Sequence, residues 1–116
     1  MGNNITVGRN ITFDLTYGII ELLDWVDLTH HIQLRGPLKI GNGVLIAENV
    51  YIGKGEENQL TTIGDDVWLG AGCLIENGSN IPKGVVIGAK CKIKTSDILS
   101  KYGVYVGNPV KLVKYR

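Results

Sequence analysis

Residues 63–93 read IGDDVWLGAGCLIENGSNIPKGVVIGAKCKI and carry an aliphatic residue at every sixth position. The positions are Ile63, Leu69, Ile75, Ile81, Ile87 and Ile93. A helix would repeat about every 3.6 residues and a half-buried strand about every two, so neither alone explains this period. Because side chains alternate along a strand, an even period fits a short strand followed by a corner. Three such units would form one coil of about 18 residues, and stacked coils would form a solenoid.

The third residue after each aliphatic position indicates the corner. It is glycine, asparagine or aspartate in seven units: Gly43, Asn49, Gly55, Asp66, Gly72, Gly78 and Gly84. These residue types tolerate a backbone with positive φ, which the corners are therefore expected to adopt. Lys90 breaks the run, so its corner is expected to be strained or different. Trp25, His31 and Pro37 interrupt the pattern in an earlier coil, and Pro37 must turn differently because it cannot adopt positive φ.

The register predicts which side chains point inward. The three predicted columns are Ile40/Ile63/Ile81, Ile46/Leu69/Ile87 and Ile52/Ile75/Ile93. The fourth residue after each aliphatic position is also expected inside, since it is small or β-branched in most units. Cys73 and Cys91 occupy this position one coil apart, and we expect two buried thiols rather than a disulfide.

A length of 116 residues suits one domain, which we predict to cover 1–116. Residues 1–21 are expected to form an irregular first coil, with a bulge or loop near Tyr17–Gly18, because Ile5 and Ile11 are out of phase. Regular coils are expected over 22–94, with a corner insertion near 54–62 in the polar stretch KGEENQLTT. Residues 95–116 lack the repeat and are predicted to cap the last coil, beginning with a short helical turn near Ile98–Lys101.

Composition and charge exclude several classes of protein. The sequence is 44% hydrophobic and 20% charged, without an apolar run long enough for a membrane span or a signal-peptide core, so a cytoplasmic protein is expected. Two cysteines and the adjacent pair His30–His31 do not make a metal site. Residues 1–82 carry a net charge of −6 and residues 83–116 carry +7, which favours an anionic partner at the C-terminal end. Nucleic acid is not expected, since stacking aromatic residues are not interleaved with the basic ones.

The stretch 63–93, followed by YVGNPVKLVKYR at 105–116, resembles the hexapeptide-repeat acyltransferases, particularly the sugar and xenobiotic O-acetyltransferase branch. The resemblance is strong over 40–116. It implies a single-stranded left-handed parallel β-helix, here of about five coils, that assembles as a homotrimer with acyl-CoA bound between neighbouring subunits. It further implies transfer of an acetyl group from acetyl-CoA to a hydroxyl or amine of a sugar or other small acceptor.

Several positions match residues that bind the coenzyme in this family. Trp68 matches an outward tryptophan near the active-site groove, and Ala71 and Ala89 match small residues beside the pantetheine arm. Lys111 matches the lysine of the family's tail motif near the coenzyme. Lys94 belongs to the cluster of lysines after residue 83, which suits the coenzyme's phosphates.

The general base is where this sequence departs from the family. Family enzymes carry a histidine near the loop that precedes IGDDVW, but the corresponding loop here, KGEENQ, has none. The alternatives are His30 and His31, at an outward corner of an earlier coil, or Glu56 and Glu57 in the loop itself. The absence also leaves open a second function, a non-catalytic trimeric β-helix that serves as a binding or assembly module.

Overall fold

The repeating units form short strands that stack into three sheets, the walls of a β-solenoid. The computed structural model describes all 116 residues, Met1–Arg116, as sixteen strands without a helix. No helix that is long and apolar enough to cross a membrane is present. All neighbouring strands are parallel except the last pair, β15 and β16. The predicted all-β parallel solenoid is therefore confirmed.

The first four turns of the chain each contribute one strand to each sheet in rotation, and the fifth contributes strands to sheets A and B. Sheet A contains β1 (Thr6–Val7), β4 (Asp27–Leu28), β7 (Leu45–Ile46), β10 (Trp68–Leu69), β13 (Val86–Ile87), β15 (Gly103–Val106) and β16 (Lys111–Tyr115). Sheet B contains β2 (Ile11–Asp14), β5 (Ile32–Arg35), β8 (Tyr51–Lys54), β11 (Leu74–Glu76) and β14 (Lys92–Ile93). Sheet C contains β3 (Ile20–Leu22), β6 (Leu38–Ile40), β9 (Thr61–Ile63) and β12 (Asn80–Ile81). We call the corner from C to A the first, from A to B the second, and from B to C the third.

The solenoid has about six turns, because sheet A stacks six parallel strands from β1 to β15. The sequence predicted about five turns, because the repeat position in β15 does not carry an aliphatic residue and the sixth turn was not recognised. Tyr105 takes that inward place above Ile87, and its hydroxyl accepts a hydrogen bond from the Ser100 amide at 2.7 Å. The tail therefore continues the solenoid and then folds back as β16, and the expected helical turn near Ile98–Lys101 is absent.

The inward columns are confirmed, since all nine predicted side chains are at most 2% exposed. The pairing also follows the prediction, as Ile75 lies between Ile52 below and Ile93 above. Burial of each such side chain stabilises the fold by about 1.5–3 kcal/mol. The second inward position is buried in every regular unit, including Cys73 and Cys91, which are free thiols as expected.

Corner conformation follows the stacking more closely than residue preference. Asn49 and Asp66 have φ values of 59° and 57°, as predicted. Trp25, His31 and Lys90 adopt the same left-handed conformation, with φ values of 61°, 56° and 60°. The interruption of the residue pattern at Trp25 and His31 therefore leaves the corner conformation unchanged, and Lys90 adopts the strained conformation that was one of its two expected alternatives. In this conformation the corner amide donates to a carbonyl one turn below, as the His31 amide does to the Arg9 carbonyl at 2.8 Å.

Two insertions interrupt the 18-residue register. Asp14 pairs with Arg35 but Ile20 pairs with Leu38, so three additional residues lie in the loop that contains Tyr17–Gly18, as predicted. The second insertion follows β8 at the third corner. Arg35, which is 5% exposed, holds the backbone of this insertion through hydrogen bonds from the protein interior. The guanidinium donates to the carbonyl of Glu57 at 2.9 Å and stacks on the ring of Tyr17 at 4.2 Å.

Candidate functional site

The second corner carries most of the residues that sequence analysis selected. Outward positions stack there in one column, from bottom to top Arg9, His30, Glu48, Ala71, Ala89 and Gly107. Backbone hydrogen bonds of 2.8–3.1 Å join successive turns of this column. Neighbouring turns are about 4.8 Å apart, the spacing of paired strands.

The upper half of the column is a strip without long side chains. Ala71 and Ala89 are exposed and stack directly, as predicted. Gly107 continues the strip upward, and Gly70 beside it lets successive turns approach, because a Cβ there would lie 2.7 Å from the Ala89 nitrogen. The result is a shallow strip along which a slim, amide-bearing chain could lie close to the backbone.

Lysines flank the upper end of this strip. Lys92 and Lys94 line a groove of 430 Å³ with Asn108 and Pro109. Asn108 attaches the tail to this end of the corner, since its side chain accepts from the Lys92 amide at 2.8 Å and donates to the Lys90 carbonyl at 2.9 Å. Sequence analysis gave Asn108 no role, although it lies within the tail motif GNPVK.

Lys111 and Trp68 lie beside the strip rather than on it. Lys111 begins β16, opposite Val106 at the second-corner end of β15. Trp68 lies on the outer face of sheet A and is 48% exposed. Its ring is covered by the guanidinium of Arg116 at 4.6 Å, and that group also donates to the Asp66 carbonyl at 2.7 Å. Arg116 therefore links the Trp68 ring to the backbone of the first corner.

Both histidines lie at the lower end of the second corner, with their Nδ1 atoms occupied. The Arg9 amide donates to Nδ1 of His30 at 2.9 Å, and Nδ2 of Asn10 contacts Nδ1 of His31 at 3.1 Å. Because an amide NH₂ group donates, Nδ1 accepts in both rings, and a neutral ring then carries its proton on Nε2. Either ring could act as a general base only after this bond is released, so the assignment of His30 and His31 stays a prediction.

The loop glutamates lie at a different corner. Glu56 and Glu57 line a 390 Å³ groove at the third corner, across the width of sheet B from the alanine strip. The same groove includes Glu76, whose pKa is lowered by hydrogen bonds from the amide and hydroxyl of Thr95. Lys92 lines this groove and also the groove beside the upper end of the strip, so the two grooves adjoin across the outer face of sheet B.

Comparison with known proteins identifies the repeat. No family model matches the chain. Bifunctional protein GlmU from Methylococcus capsulatus is 30% identical over 112 residues, covering 97% of this chain and 23% of that protein. A chloramphenicol acetyltransferase from Agrobacterium fabrum is 36% identical over 70 residues, covering 60% of this chain and 31% of that protein. The chain thus spans less than a third of the length of these relatives.

Solved structures agree with the sequence relatives. A galactoside acetyltransferase in complex with coenzyme A superposes with a TM-score of 0.72 at 26% identity, covering 97% of this chain and 65% of that chain. A hexapeptide-repeat-containing acetyltransferase from Vibrio cholerae shares the fold, with a TM-score of 0.78 at 17% identity over 99% of this chain and 72% of that chain. In sequence and in fold, the chain is similar to the hexapeptide-repeat acyltransferases.

Within this hexapeptide-repeat chain, Glu48 is the acidic residue that sequence analysis missed. It lies one turn below Ala71 and one turn above His30, and it is exposed. Its register position, two residues after Ile46, equals that of Ala71 and Ala89 once the insertion after β8 is counted. As an exposed acidic residue outside the loop, Glu48 carries no sequence signal that marks it as a base.

The two thiols of the hexapeptide repeat belong to the interior and not to the site. Burial raises the pKa of Cys73 to about 11, and its Sγ donates to the Gly88 carbonyl at 2.9 Å. A thiol in this state is a poor nucleophile, because the thiolate is the reactive form.

Proposed function

We propose that the chain transfers an acyl group, in the first place acetyl, from acyl-CoA to a hydroxyl or amine of a sugar or other small acceptor. The observation that carries this proposal is the strip of Ala71, Ala89 and Gly107 with lysines at its upper end. A slim pantetheine arm fits such a strip, and the lysines suit the coenzyme's phosphates. The named activities of the chloramphenicol and galactoside acetyltransferases, the latter bound to coenzyme A, support the same chemistry.

The arrangement suggests how the transfer would run. With the phosphates at the lysines, the thioester would lie at the lower end of the strip, near Glu48. The acceptor's oxygen or nitrogen attacks the thioester carbonyl carbon, the new C–O or C–N bond forms, and the C–S bond breaks to release the CoA thiolate. The acceptor loses a proton in this step, and we propose Glu48 as the group that receives it. The alternative proton acceptors are His30 and His31, and then Glu56 and Glu57. Substitution of each residue distinguishes them from Glu48.

We further propose that the solenoid is left-handed, as in the family, and that three copies assemble with a coenzyme site in each groove between subunits. The outer face of sheet A supports an assembly, because Leu45 and Trp68 stack there as an exposed apolar pair, with Val86 and Val104 above them. Sedimentation at micromolar protein concentration would give three times the chain mass of 12.6 kDa. A mass of one chain would refute the intersubunit site. Since acyl-CoA is the donor, the proposal also expects a cytoplasmic protein.

One observation favours a second function, a binding module without turnover. Neither histidine has a free Nδ1, and the loop before β9 contains no histidine. The experiment is to measure coenzyme A binding by calorimetry and thiol release from acetyl-CoA with and without sugars and amino sugars. Release that depends on both protein and acceptor supports the transferase, and binding without release supports the module.

A further inference from the structure

We propose that Arg9, Asn10, His30 and His31 form an oxyanion-binding subsite, which holds a phosphate or similar group on the acceptor. These four residues line a groove of 380 Å³ at the lower end of the second corner, with no apolar residue among them. Identifying the occupant as the acceptor rests on the proposed function, whereas the binding of an oxyanion does not.

The hydrogen bonds within the groove decide which ligand it suits. Because Nδ1 of each ring accepts from Arg9 or Asn10, each neutral ring offers an N–H donor at Nε2. Arg9 adds a guanidinium, which carries five donors and a permanent charge. Three of the four side chains thus present donors, one of them charged, and none is a carboxylate. Such a set complements an oxyanion and leaves a cation or an apolar group without partners.

The local backbone shows that the two rings are held in place. Gly8 lets the first turn pass close to them, because a Cβ there would lie 2.6 Å from His30 Nδ1. Asn10 and His31 both have positive φ, 58° and 56°, and stack one above the other at the corner. A positive φ at a histidine carries a conformational cost, which Gly72 avoids at the equivalent position two turns above. His31 thus occupies this corner position despite a conformational cost that a glycine there would avoid.

The position of the groove relates it to the proposed chemistry. His30 lies two turns below Ala71, about 10 Å away at the spacing of paired strands, with Glu48 between them. The groove lined by Lys92 and Lys94, which is expected to hold the coenzyme's phosphates, lies at the top of sheet B, beside the upper end of the same corner. An acceptor could therefore present its hydroxyl or amine near Glu48 while an anionic group rests between Arg9 and the histidines. The substrate class is a small phosphorylated compound, such as a sugar phosphate.

Inorganic phosphate is the first probe. The chain has only two histidines, so a phosphate titration at constant pH can follow the ring signals of both by NMR. We expect a saturable shift of these signals. We also expect Arg9→Gln to weaken phosphate binding about tenfold, as loss of one charged hydrogen bond would. The matched control, Lys39→Gln, removes an exposed cation on sheet C and should change the affinity less than twofold. Absence of a saturable shift, or equal affinity in Arg9→Gln, overturns the subsite.

Two further titrations identify the source of the oxyanion. Glucose 1-phosphate should bind more tightly than glucose, and only the phosphate ester should be weakened by Arg9→Gln. Coenzyme A should bind wild type and Arg9→Gln within a factor of two. If Arg9→Gln weakens the binding of coenzyme A as strongly as the binding of phosphate, the groove holds the coenzyme's own phosphates. The acceptor assignment is then overturned. Phosphate binding without acetyl transfer would refute the proposed function and leave the oxyanion subsite standing.

Discussion

The backbone amide of Lys90 donates to the carbonyl of Ala71 at 2.8 Å, and this bond holds Ala89 directly above Ala71. The same bond requires Lys90 to adopt a φ of 60°, which most residues with a side chain avoid. The alanine strip and the strained lysine beside it are therefore two consequences of one stacking interaction. The cation at the edge of the strip is kept at a conformational cost.

Replacing that lysine with glycine should stabilise the fold. Glycine adopts positive φ freely, so relief of strain should outweigh its larger unfolded-state entropy and give about 0.5–1 kcal/mol. Urea unfolding of Lys90→Gly measures the gain. Lys92→Gly is the control, because Lys92 lies in β14, where glycine should destabilise by about 0.5–1 kcal/mol. A Lys90→Gly variant less stable than wild type would contradict the strain argument.

The buried thiol of Cys73 predicts a loss of stability in alkali. Its pKa is raised in the fold from 9.0 to about 11, so the stabilisation is complete below pH 9 and is lost as the pH rises through 11. Over that window, wild type should lose about 2–3 kcal/mol more unfolding free energy than Cys73→Val, which cannot ionise. Denaturant melts at pH 8, 9, 10 and 11 measure the difference. If the unfolding free energies of the two proteins depended equally on pH, burial would not raise the pKa of Cys73.

Single lysine variants should weaken coenzyme A binding only slightly. Lys94→Ala and Lys111→Ala each remove one exposed cation, worth about 1 kcal/mol or less, so a change of a fewfold is expected. The effect should shrink as salt is added, because screening weakens exposed charge pairs. Lys101→Ala, which removes a lysine outside the groove, is the control in the same calorimetric titration. An equal effect of all three variants would indicate nonspecific attraction.

Substitution can also separate Glu48 from the histidines. If Glu48 receives the proton, Glu48→Gln should lower kcat by about 10²-fold or more with little change in coenzyme A affinity. His30→Ala and His31→Ala should mainly raise KM for a phosphorylated acceptor. A fall in kcat in either histidine variant, at unchanged KM, would instead support the general-base role that the sequence predicted. The assay is release of thiol from acetyl-CoA at varied acceptor concentration.

The core could be predicted from the sequence because burial and a fixed period act together. An inward position such as Ile75 must be apolar, and it must recur at each turn, so the sequence displays both. Corners are less visible, because Trp25 and Lys90 adopt a conformation that their residue types disfavour. Backbone hydrogen bonds between turns impose it, and these depend on no particular side chain.

The site was only partly visible for similar reasons. Ala71 and Ala89 were found because they share the period of the core. Glu48 occupies the same register position, as the predicted column Ile46/Leu69/Ile87 implies, but a single exposed carboxylate carries no pattern that marks it as a base. The occupied Nδ1 atoms of His30 and His31 depend on contacts with Arg9 and Asn10, 21 residues earlier, which no local pattern indicates.

Coenzyme A binding to wild type and to Ala89→Trp, measured by calorimetry, tests the proposed coenzyme site most directly. A tryptophan at this position would fill the strip, so binding should be abolished while the fold remains intact. Ser96→Trp is the matched control, because it adds the same side chain at an exposed position at the third corner and should bind like wild type. Unchanged binding in Ala89→Trp would show that the second corner does not hold the coenzyme.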